Sequence, residues 1–264
     1  MRFARDLAEL APVMDLRPAG GGFVAATYPS DHGGIMGSHE LLQQVLAAER
    51  SEPGRRVLSL HTSYLSGGRS GQPVEIDVER LQSGRSFANC TLTFRQGEHV
   101  VSRSQVLLTS DEPDFLRYPD PPAPARGAAG WPAEEYGPWP GPAWLAPDAG
   151  DGVITRRFGL GSPVDDASVG RGLIALATEP GVLGTLLALG SAGDEWEFRQ
   201  GSGNVVTQTV HLLEPLGDAD ALVVTSVPTW AAGGRAHGRG TVTDDDGRLL
   251  ATFTTTGVLR GPAR

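Results

Sequence analysis

The chain has 264 residues, of which 39% are hydrophobic, enough to build a core in one large domain or two smaller ones. Its formal net charge of −9 argues against a broad nucleic-acid-binding surface, because neutralising phosphates needs a concentrated basic face. The single cysteine, Cys90, excludes internal disulfides and a zinc site built from several cysteines. No stretch approaches the roughly 18 apolar residues of a membrane span, and Asp6 interrupts any signal-peptide pattern, so we expect a soluble cytoplasmic chain.

The first predicted element is a helix over residues 37–49. Its apolar residues between Leu41 and Leu46 recur at helical spacing, and Ser38 is a candidate capping residue. The pair Gly33-Gly34 lies just ahead of it. This segment therefore predicts a helix with one apolar stripe facing a core.

Three strands are predicted after this helix. Residues 72–81, 85–95 and 100–108 show near-alternating apolar positions, and glycines at 84 and 97 mark the turns between them. Strands joined by such short turns pair with their neighbours in opposite directions. The pattern predicts an antiparallel meander.

The segment from 111 to 150 is too rich in proline to hold an interior helix or a central strand. It divides the chain into an N-terminal half, residues 1–110, and a C-terminal half, residues 151–264. Its large aromatic residues favour a linker packed against the folded body, because a fully solvated tether has little use for such rings. These aromatic residues are Trp131, Tyr136, Trp139 and Trp144.

The second half repeats the order of the first. A helix opens near Asp165 and runs through Ala177 before Pro180, and strands are predicted at 221–227, 235–243 and 248–259. An offset of 150 residues superposes the turn glycines and one histidine of each half. The matched pairs are Gly84 with Gly234, Gly97 with Gly247 and His61 with His211. This register indicates an internal duplication.

Several segments resemble the bacterial acyl-CoA thioesterase II family. The first half carries LSLHTSYL at 58–65, PVEIDVERL at 73–81 and GRSF at 84–87, which are similar to the family's "HSFHSYFLRPG" and "P-I-x-Y-D-V-E-x-L-R-D-G-x-S-F". The second half carries a weaker match to the family's closing segments, at 234–240, 246–251 and 257–260. The resemblance implies an α+β double hotdog, in which two antiparallel sheets, each wrapped around a central helix, join into one continuous sheet.

The same resemblance implies an acyl-CoA thioesterase that hydrolyses an acyl thioester to free acid and CoA with an activated water. Such a protein needs no cofactor and no covalent nucleophile. Its partner is acyl-CoA or a related acyl thioester, and a homo-oligomer is compatible with the resemblance. The six histidines show no recognised metal spacing, so the sequence predicts no metal site.

The resemblance also implies a water-holding set on the second half. In the family this set is an Asp after the helix, a Thr on the next strand and a Gln on the final strand. The Asp position corresponds to Glu179 and the Gln position to Thr255. The Thr position falls on Val205, so Thr207, two residues on, is the candidate hydroxyl. The predicted catalytic residues are therefore Glu179, Thr207 and Thr255.

Substrate-binding candidates lie in the first half. Gly33 and Gly34 would let a thioester carbonyl approach backbone N–H groups at the start of a helix, although they would equally serve only to turn the chain. Arg69, with Arg55 and Arg56 near it in sequence, is a candidate for the CoA phosphates.

A pseudo-symmetric site in the first half is the alternative location. Gln105 is the counterpart of Thr255 at the offset of 150, and other polar residues lie on the preceding helix and strand. These residues are His39, Glu40, Ser59 and His61. Two alternative functions also stay open: a catalytically degenerate double hotdog that only binds acyl thioesters, and a hotdog hydratase or dehydratase, which would need a His and Asp pair.

Overall fold

The computed structural model describes the two halves of the chain but not most of the predicted linker. The described residues are 7–30, 33–116, 153–179, 181–183, 186 and 202–260. The predicted linker from 117 onward, with its four aromatic residues, lies outside this part. None of the helices that the structure describes is long and apolar enough to cross a membrane.

Each half contains an antiparallel set of strands and a long helix that follows its first strand or strands, and the first half begins with an additional short helix. The first half contains α1 (Leu7–Met14), β1 (Arg17–Ala19), β2 (Gly22–Ala25), α2 (Gly37–Ser51), β3 (Arg56–Tyr64), β4 (Val74–Ser83), β5 (Phe87–Gln96) and β6 (His99–Thr109). The second half contains β7 (Ile154–Gly159), α3 (Ala167–Thr178), β8 (Ser202–Leu212), β9 (Ala221–Ala232), β10 (Arg235–Thr243) and β11 (Leu249–Arg260). The helices and meander strands predicted from the sequence are all present.

The described strands form one antiparallel sheet in the order β1-β2-β4-β5-β6-β3-β8-β11-β10-β9-β7. Apart from β1, the order is the same when read outward from the centre in either direction, with β3 matching β8 and β6 matching β11. The two halves join where β3 pairs with β8, from Ser59 opposite His211 to Ser63 opposite Thr207. This confirms the prediction of one continuous sheet, and the matched order supports the internal duplication.

Helices α2 and α3 pack against one face of the sheet and against each other. Strand β5 shows why that face is apolar: Ala88, Cys90, Leu92 and Phe94 alternate along it and are fully buried. Burial raises the pKa of the Cys90 thiol to about 11, so this cysteine is inert.

A glycine in α3 lets the two helices approach closely. A Cβ added at Gly172 would lie 2.3 Å from Cδ1 of Leu42 and 3.4 Å from its carbonyl oxygen, so a side chain there would displace the end of the Leu42 side chain. The sequence pattern alone does not reveal this contact, because it depends on which residues of two distant helices meet.

The helix starts differ in how they are capped. Asp166 caps α3 as its position suggested, since its Oδ1 accepts hydrogen bonds from the backbone N–H groups of Ser168 at 2.8 Å and Val169 at 3.2 Å. The suggested cap of α2 was wrong. Its N-cap is Met36, which makes no side-chain cap, and Ser38 lies buried inside the first turn.

One buried ion pair joins α2 to α3. The guanidinium of Arg171 donates to both carboxylate oxygens of Glu49, at 2.6 and 2.7 Å, and the backbone N–H of Val57 donates to the same carboxylate at 2.8 Å. The side chains of Arg171 and Glu49 are only 13% and 6% exposed. The carboxylate therefore has little access to water if its partner is removed.

We expect Arg171→Met to destabilise the fold by about 3–5 kcal/mol, because it leaves the charge of Glu49 buried without a partner. Denaturant unfolding followed by circular dichroism measures the change. Adding Glu49→Gln should recover much of the loss, since the amide oxygen still accepts from Val57 while the charge is gone.

The matched control is Arg95→Met, which breaks the ion pair with Asp77 on the sheet surface, where the side chains are 32% and 60% exposed. This change should cost at most about 1 kcal/mol. Equal losses for Arg171→Met and Arg95→Met would contradict the assigned role of the buried pair.

Candidate active site

Four buried polar side chains form a row across the centre of the sheet, on the face that the helices cover. The register pairs Ser104 on β6 with Thr62 on β3, Thr62 with Gln208 on β8, and Gln208 with Thr255 on β11. None of the four is more than 1% exposed. Such a row in the middle of an apolar face needs hydrogen-bond partners to be tolerated.

The first-half end of the row is bonded to α2. The hydroxyl of Thr62 donates to Oε1 of Gln44 at 2.6 Å and lies 3.2 Å from the hydroxyl of Ser104. The amide of Gln44 is fully buried, and in the described part of the chain its Nε2 has no hydrogen-bond partner.

The second-half end is bonded to α3 in a similar way. Nε2 of Gln208 donates to the hydroxyl of Thr178 at 2.9 Å, and the hydroxyl of Thr255 donates to Oε1 of Gln208 at 2.5 Å. Thr178 in turn donates to the carbonyl of Ala175 at 2.7 Å. These bonds hold the Gln208 amide in one orientation.

Next to the row lies a cluster of ionisable groups at the start of α2. The hydroxyl of Ser102 donates to Oε2 of Glu40, and the phenol of Tyr64 donates to the carbonyl of Gly37 at 3.1 Å. A Cβ at Gly37 would lie 3.0 Å from the Tyr64 ring and 3.2 Å from Oε1 of Glu179, so the glycine lets both groups reach this helix end. Tyr64 and Ser102 are themselves paired across β3 and β6.

The environment changes the protonation of these groups. Burial, and to a smaller extent the charge of Glu179, raise the pKa of Glu40 to about 8, while the Ser102 hydrogen bond opposes the shift. Burial raises the pKa of Glu179 to about 7. Burial and the two neighbouring carboxylates raise the pKa of Tyr64 well above its ordinary value, so it stays a neutral hydrogen-bond donor.

The row and its hydrogen-bonded or ionisable neighbours together form the seam cluster. The members of the seam cluster are Glu40, Gln44, Thr62, Tyr64, Ser102, Ser104, Thr178, Glu179, Gln208 and Thr255. It combines two carboxyl groups that protonate near neutral pH with a fixed set of hydroxyl and amide groups. This combination is suited to holding and deprotonating a water molecule.

Of the three predicted catalytic residues, two lie in the seam cluster. Glu179 follows α3, and Thr255 bonds Gln208. Thr207 does not join them: it pairs with Ser63 and Thr256 and, one residue from Gln208, points to the opposite face of the sheet.

The predicted substrate-binding residues lie together in the loops ahead of α2 and after β3. Gly34 and Arg69 form an isolated β-bridge. The N–H of Gly33 donates to the carbonyl of Ser30 at 3.0 Å, and the carbonyl of Gly33 accepts from the N–H of Ser70 at 2.9 Å. The Arg69 side chain is exposed. The Gly33 N–H is thus already used, and the amides that begin α2 are those of Gly37 and Ser38.

Most of the pseudo-symmetric candidates do not enter the seam cluster. Gln105 and His61 are exposed on the outer face, where His61 Nδ1 lies 2.7 Å from the Thr209 hydroxyl, and Ser59 lies on the same strand face as His61. His39 is buried against the Tyr28 ring, and its burial lowers its pKa to about 4. Among these first-half candidates, Glu40 is the one that lies in the cluster.

Sequence reasoning missed the other members of the seam cluster. These are Gln44, Thr62, Tyr64, Ser102, Ser104, Thr178 and Gln208. The available signal was the phase of the strands, because Thr62, Ser102, Ser104 and Gln208 share the strand phase of the buried apolar residues Leu60, Val106 and Val210. Within the described ranges, no group of three or more His, Cys, Asp or Glu side chains is placed to hold a metal ion.

Comparisons with known proteins agree with this architecture. Residues 29–109 match a family model described as the acyl-CoA thioesterase N-terminal domain. A search of curated proteins finds no significant match.

Solved structures give the fold of the whole chain. The tesB protein of Mycobacterium avium subspecies paratuberculosis is 21% identical with a TM-score of 0.75, covering 97% of this chain and 99% of its own. The acyl-CoA thioesterase II TesB2 of Mycobacterium marinum is 19% identical with a TM-score of 0.73, covering 96% and 99%. A hotdog-fold protein of unknown function from Alicyclobacillus acidocaldarius is 22% identical with a TM-score of 0.60, covering 97% and 99%. The predicted double hotdog is therefore confirmed.

The raised carboxyl pKa values make stability depend on pH. A carboxyl whose pKa is raised in the folded state binds more protons there than in the unfolded chain. Its contribution is complete below its ordinary pKa of 4.5 and is lost as the pH rises through about 8 for Glu40.

We therefore expect the free energy of unfolding to fall between about pH 5 and pH 8, and Glu40→Gln to make this fall shallower and to stabilise the protein at pH 8. Denaturant unfolding at several pH values measures the slope. Glu75→Gln, an exposed change on β4, is the matched control. An unchanged slope in Glu40→Gln would show that this carboxyl is not buried as described.

Proposed function

We propose that this protein hydrolyses an acyl thioester, with acyl-CoA as its substrate class, because residues 29–109 match the model of the acyl-CoA thioesterase N-terminal domain and the chain has the double-hotdog fold. The observation that carries the proposal is the position of Glu179. It is a carboxyl group with its pKa raised to about 7, at the start of α2 and next to the fixed hydroxyl and amide groups of the seam cluster.

In this proposal Glu179 is the general base. With a pKa of about 7 it is ionised in about half of the molecules at neutral pH, and a base of this strength can accept a proton from water during attack on the carbonyl. The positive end of the α2 dipole near Gly37 favours the ionised form. No covalent intermediate is needed, since the thiolate of CoA is a sufficient leaving group.

The hydroxyl and amide roles of the family are assigned here to Thr255 and Gln208. The family carries the Thr on the strand after the helix and the Gln on the final strand. In this chain the amide, that of Gln208, is on β8 and the hydroxyl, that of Thr255, is on β11, so each group is on the strand where the family has the other. The Thr255 hydroxyl donates to the Gln208 amide oxygen. We assign the hydroxyl to Thr255 in place of Thr207.

Glu40 is proposed to hold a proton at neutral pH. Its pKa of about 8 lies above that of Glu179, so at pH 7 the pair rarely carries two negative charges, and a single charge resides mainly on Glu179. The proton on Glu40 lowers the repulsion that a second buried carboxylate would exert on Glu179. Glu40 thereby supports the ionised state of the base.

Arg69, exposed on the loop next to Gly34, is assigned to the phosphates of CoA, which a guanidinium binds in bidentate fashion.

The single buried cysteine favours a reducing, cytoplasmic compartment, and the substrate class places the reaction in acyl-lipid metabolism.

A second candidate, an acyl-thioester-binding protein without turnover, is favoured by the same strand exchange. If the water must lie where the family's glutamine holds it, the shorter Thr255 would leave it too far from the carbonyl. Binding would then persist while hydrolysis is lost.

Purified protein mixed with acyl-CoAs of graded chain length and a thiol reagent should release CoA. Glu179→Gln should reduce kcat by about 10²- to 10⁴-fold with the fold intact, because it removes the base and keeps the shape of the side chain. In the unaltered protein, kcat/KM should rise with pH through about 7, as Glu179 loses its proton.

Gln105→Ala, on the exposed outer face, is the control and should leave the rate unchanged. Full activity in Glu179→Gln would contradict the assignment of the base. Saturable acyl-CoA binding with no CoA release at any chain length would favour the binding protein instead.

A further inference from the structure

Gln44 is a buried donor without an acceptor among the residues that the structure describes. It lies on α2, and its side chain is fully buried, yet none of those residues accepts a hydrogen bond from its Nε2. Buried polar groups are nearly always paired, so an unpaired one in the middle of a candidate site calls for an explanation. A missing ligand atom is one such explanation.

The unpaired amide is held in place rather than loose. Thr62 donates to its Oε1 at 2.6 Å, and Thr62 is itself within 3.2 Å of the Ser104 hydroxyl. With the oxygen end fixed against the sheet, Nε2 points away from Thr62. The donor is therefore oriented before any ligand binds, which is the condition under which it contributes most to a transition state.

Its position fits the reaction proposed above. Gln44 follows Glu40 by one helical turn, about 6 Å along the axis, and helical side chains lean toward the N-terminus, where Glu179 meets Gly37. Across the seam, Thr62 is paired with Gln208. Gln44 therefore lies about two helical turns along α2 from Gly37, where Glu179 meets the helix start.

We propose that Nε2 of Gln44 donates a hydrogen bond to the carbonyl oxygen of the bound acyl thioester and to the oxyanion that forms during hydrolysis. This inference rests on the proposed function. The water oxygen bonds to the carbonyl carbon, its proton moves to Glu179, and the C=O electron pair moves to the oxygen that Gln44 holds. When that pair returns, the C–S bond breaks, and sulfur leaves with its electrons and takes the proton from Glu179.

Two other amide groups near the site are already engaged. The N–H of Gly33, expected to play this role, donates to the carbonyl of Ser30, and Nε2 of Gln208 donates to Thr178. The neighbouring Gln43 also differs from Gln44, because Nε2 of Gln43 already has acceptors: it donates to the carbonyls of Val13 and Ala26 at 3.0 and 2.8 Å.

The test compares Gln44→Met with Gln43→Met. Gln44→Met removes the unpaired donor and also the acceptor of the Thr62 hydroxyl, so the melting temperature should fall slightly while kcat of the folded protein falls by about 10²- to 10³-fold. Gln43→Met breaks bonds to two backbone carbonyls and should lower the melting temperature with kcat of the folded protein unchanged. A Gln44 that is merely structural would behave like Gln43: an unchanged kcat in folded Gln44→Met would overturn the proposal.

A binding measurement separates this inference from the hydrolytic function. Two stable acyl-CoA analogues serve as probes: a ketone, in which CH₂ replaces sulfur and the carbonyl is kept, and a thioether, which has no carbonyl. The unaltered protein should bind the ketone more tightly, and Gln44→Met should abolish this preference. Gln44→Leu, a second apolar variant without a donor, should do the same if the Met variant folds poorly.

If the unaltered protein cleaves no thioester yet shows a ketone preference that depends on Gln44, the hydrolytic function fails and the carbonyl contact stands. An unchanged ketone preference in both Gln44 variants overturns the inference, whether or not the protein is an enzyme.

Discussion

Backbone hydrogen bonds between β3 and β8 hold the two halves together, and the rest of the structure depends on them. The pairing closes the edge that each half would otherwise leave open to aggregation. It also sets Thr62 opposite Gln208, which aligns polar residues from four strands into one row. A shift of one residue at this seam would turn that row to the outer face and leave the helices without it.

The seam divides the site between the two halves. The second half contributes Glu179 and Gln208, while the first contributes Glu40 and Gln44, and the start of α2 lies where they meet. Burial under the helices keeps both carboxyl groups close to their protonation midpoint, at pKa values of about 7 and 8. Two carboxyl groups whose pKa values differ in one site can act as acid and base at the same pH. Duplication thus produced two halves that are alike in fold and complementary in chemistry.

The strands and long helices could be predicted because alternation and turn glycines are local signals, whereas α1 carries Pro12 and shows no such pattern. The site was harder to predict. Thr207 and Gln208 are adjacent, and the choice between them depends on the register of β8 with its neighbours, which includes a shift between Thr256 and Gly257. Gly33 was expected to offer its N–H to the substrate, but that N–H donates to the carbonyl of Ser30, a contact that the sequence does not reveal. Glu179 was proposed from the resemblance, because it corresponds to the family's Asp after the second helix, and α3 does end just before it, at Thr178.

The most direct test of a site shared between the halves is a titration by ¹³C NMR of protein labelled at the glutamate carboxyl carbons, with and without the ketone analogue of acyl-CoA. The account predicts two glutamates, identified by Glu40→Gln and Glu179→Gln, that titrate near pH 8 and pH 7 in the free protein and both shift when the analogue binds. If the analogue binds and neither carboxyl responds, the substrate lies elsewhere and the seam cluster is not the active site.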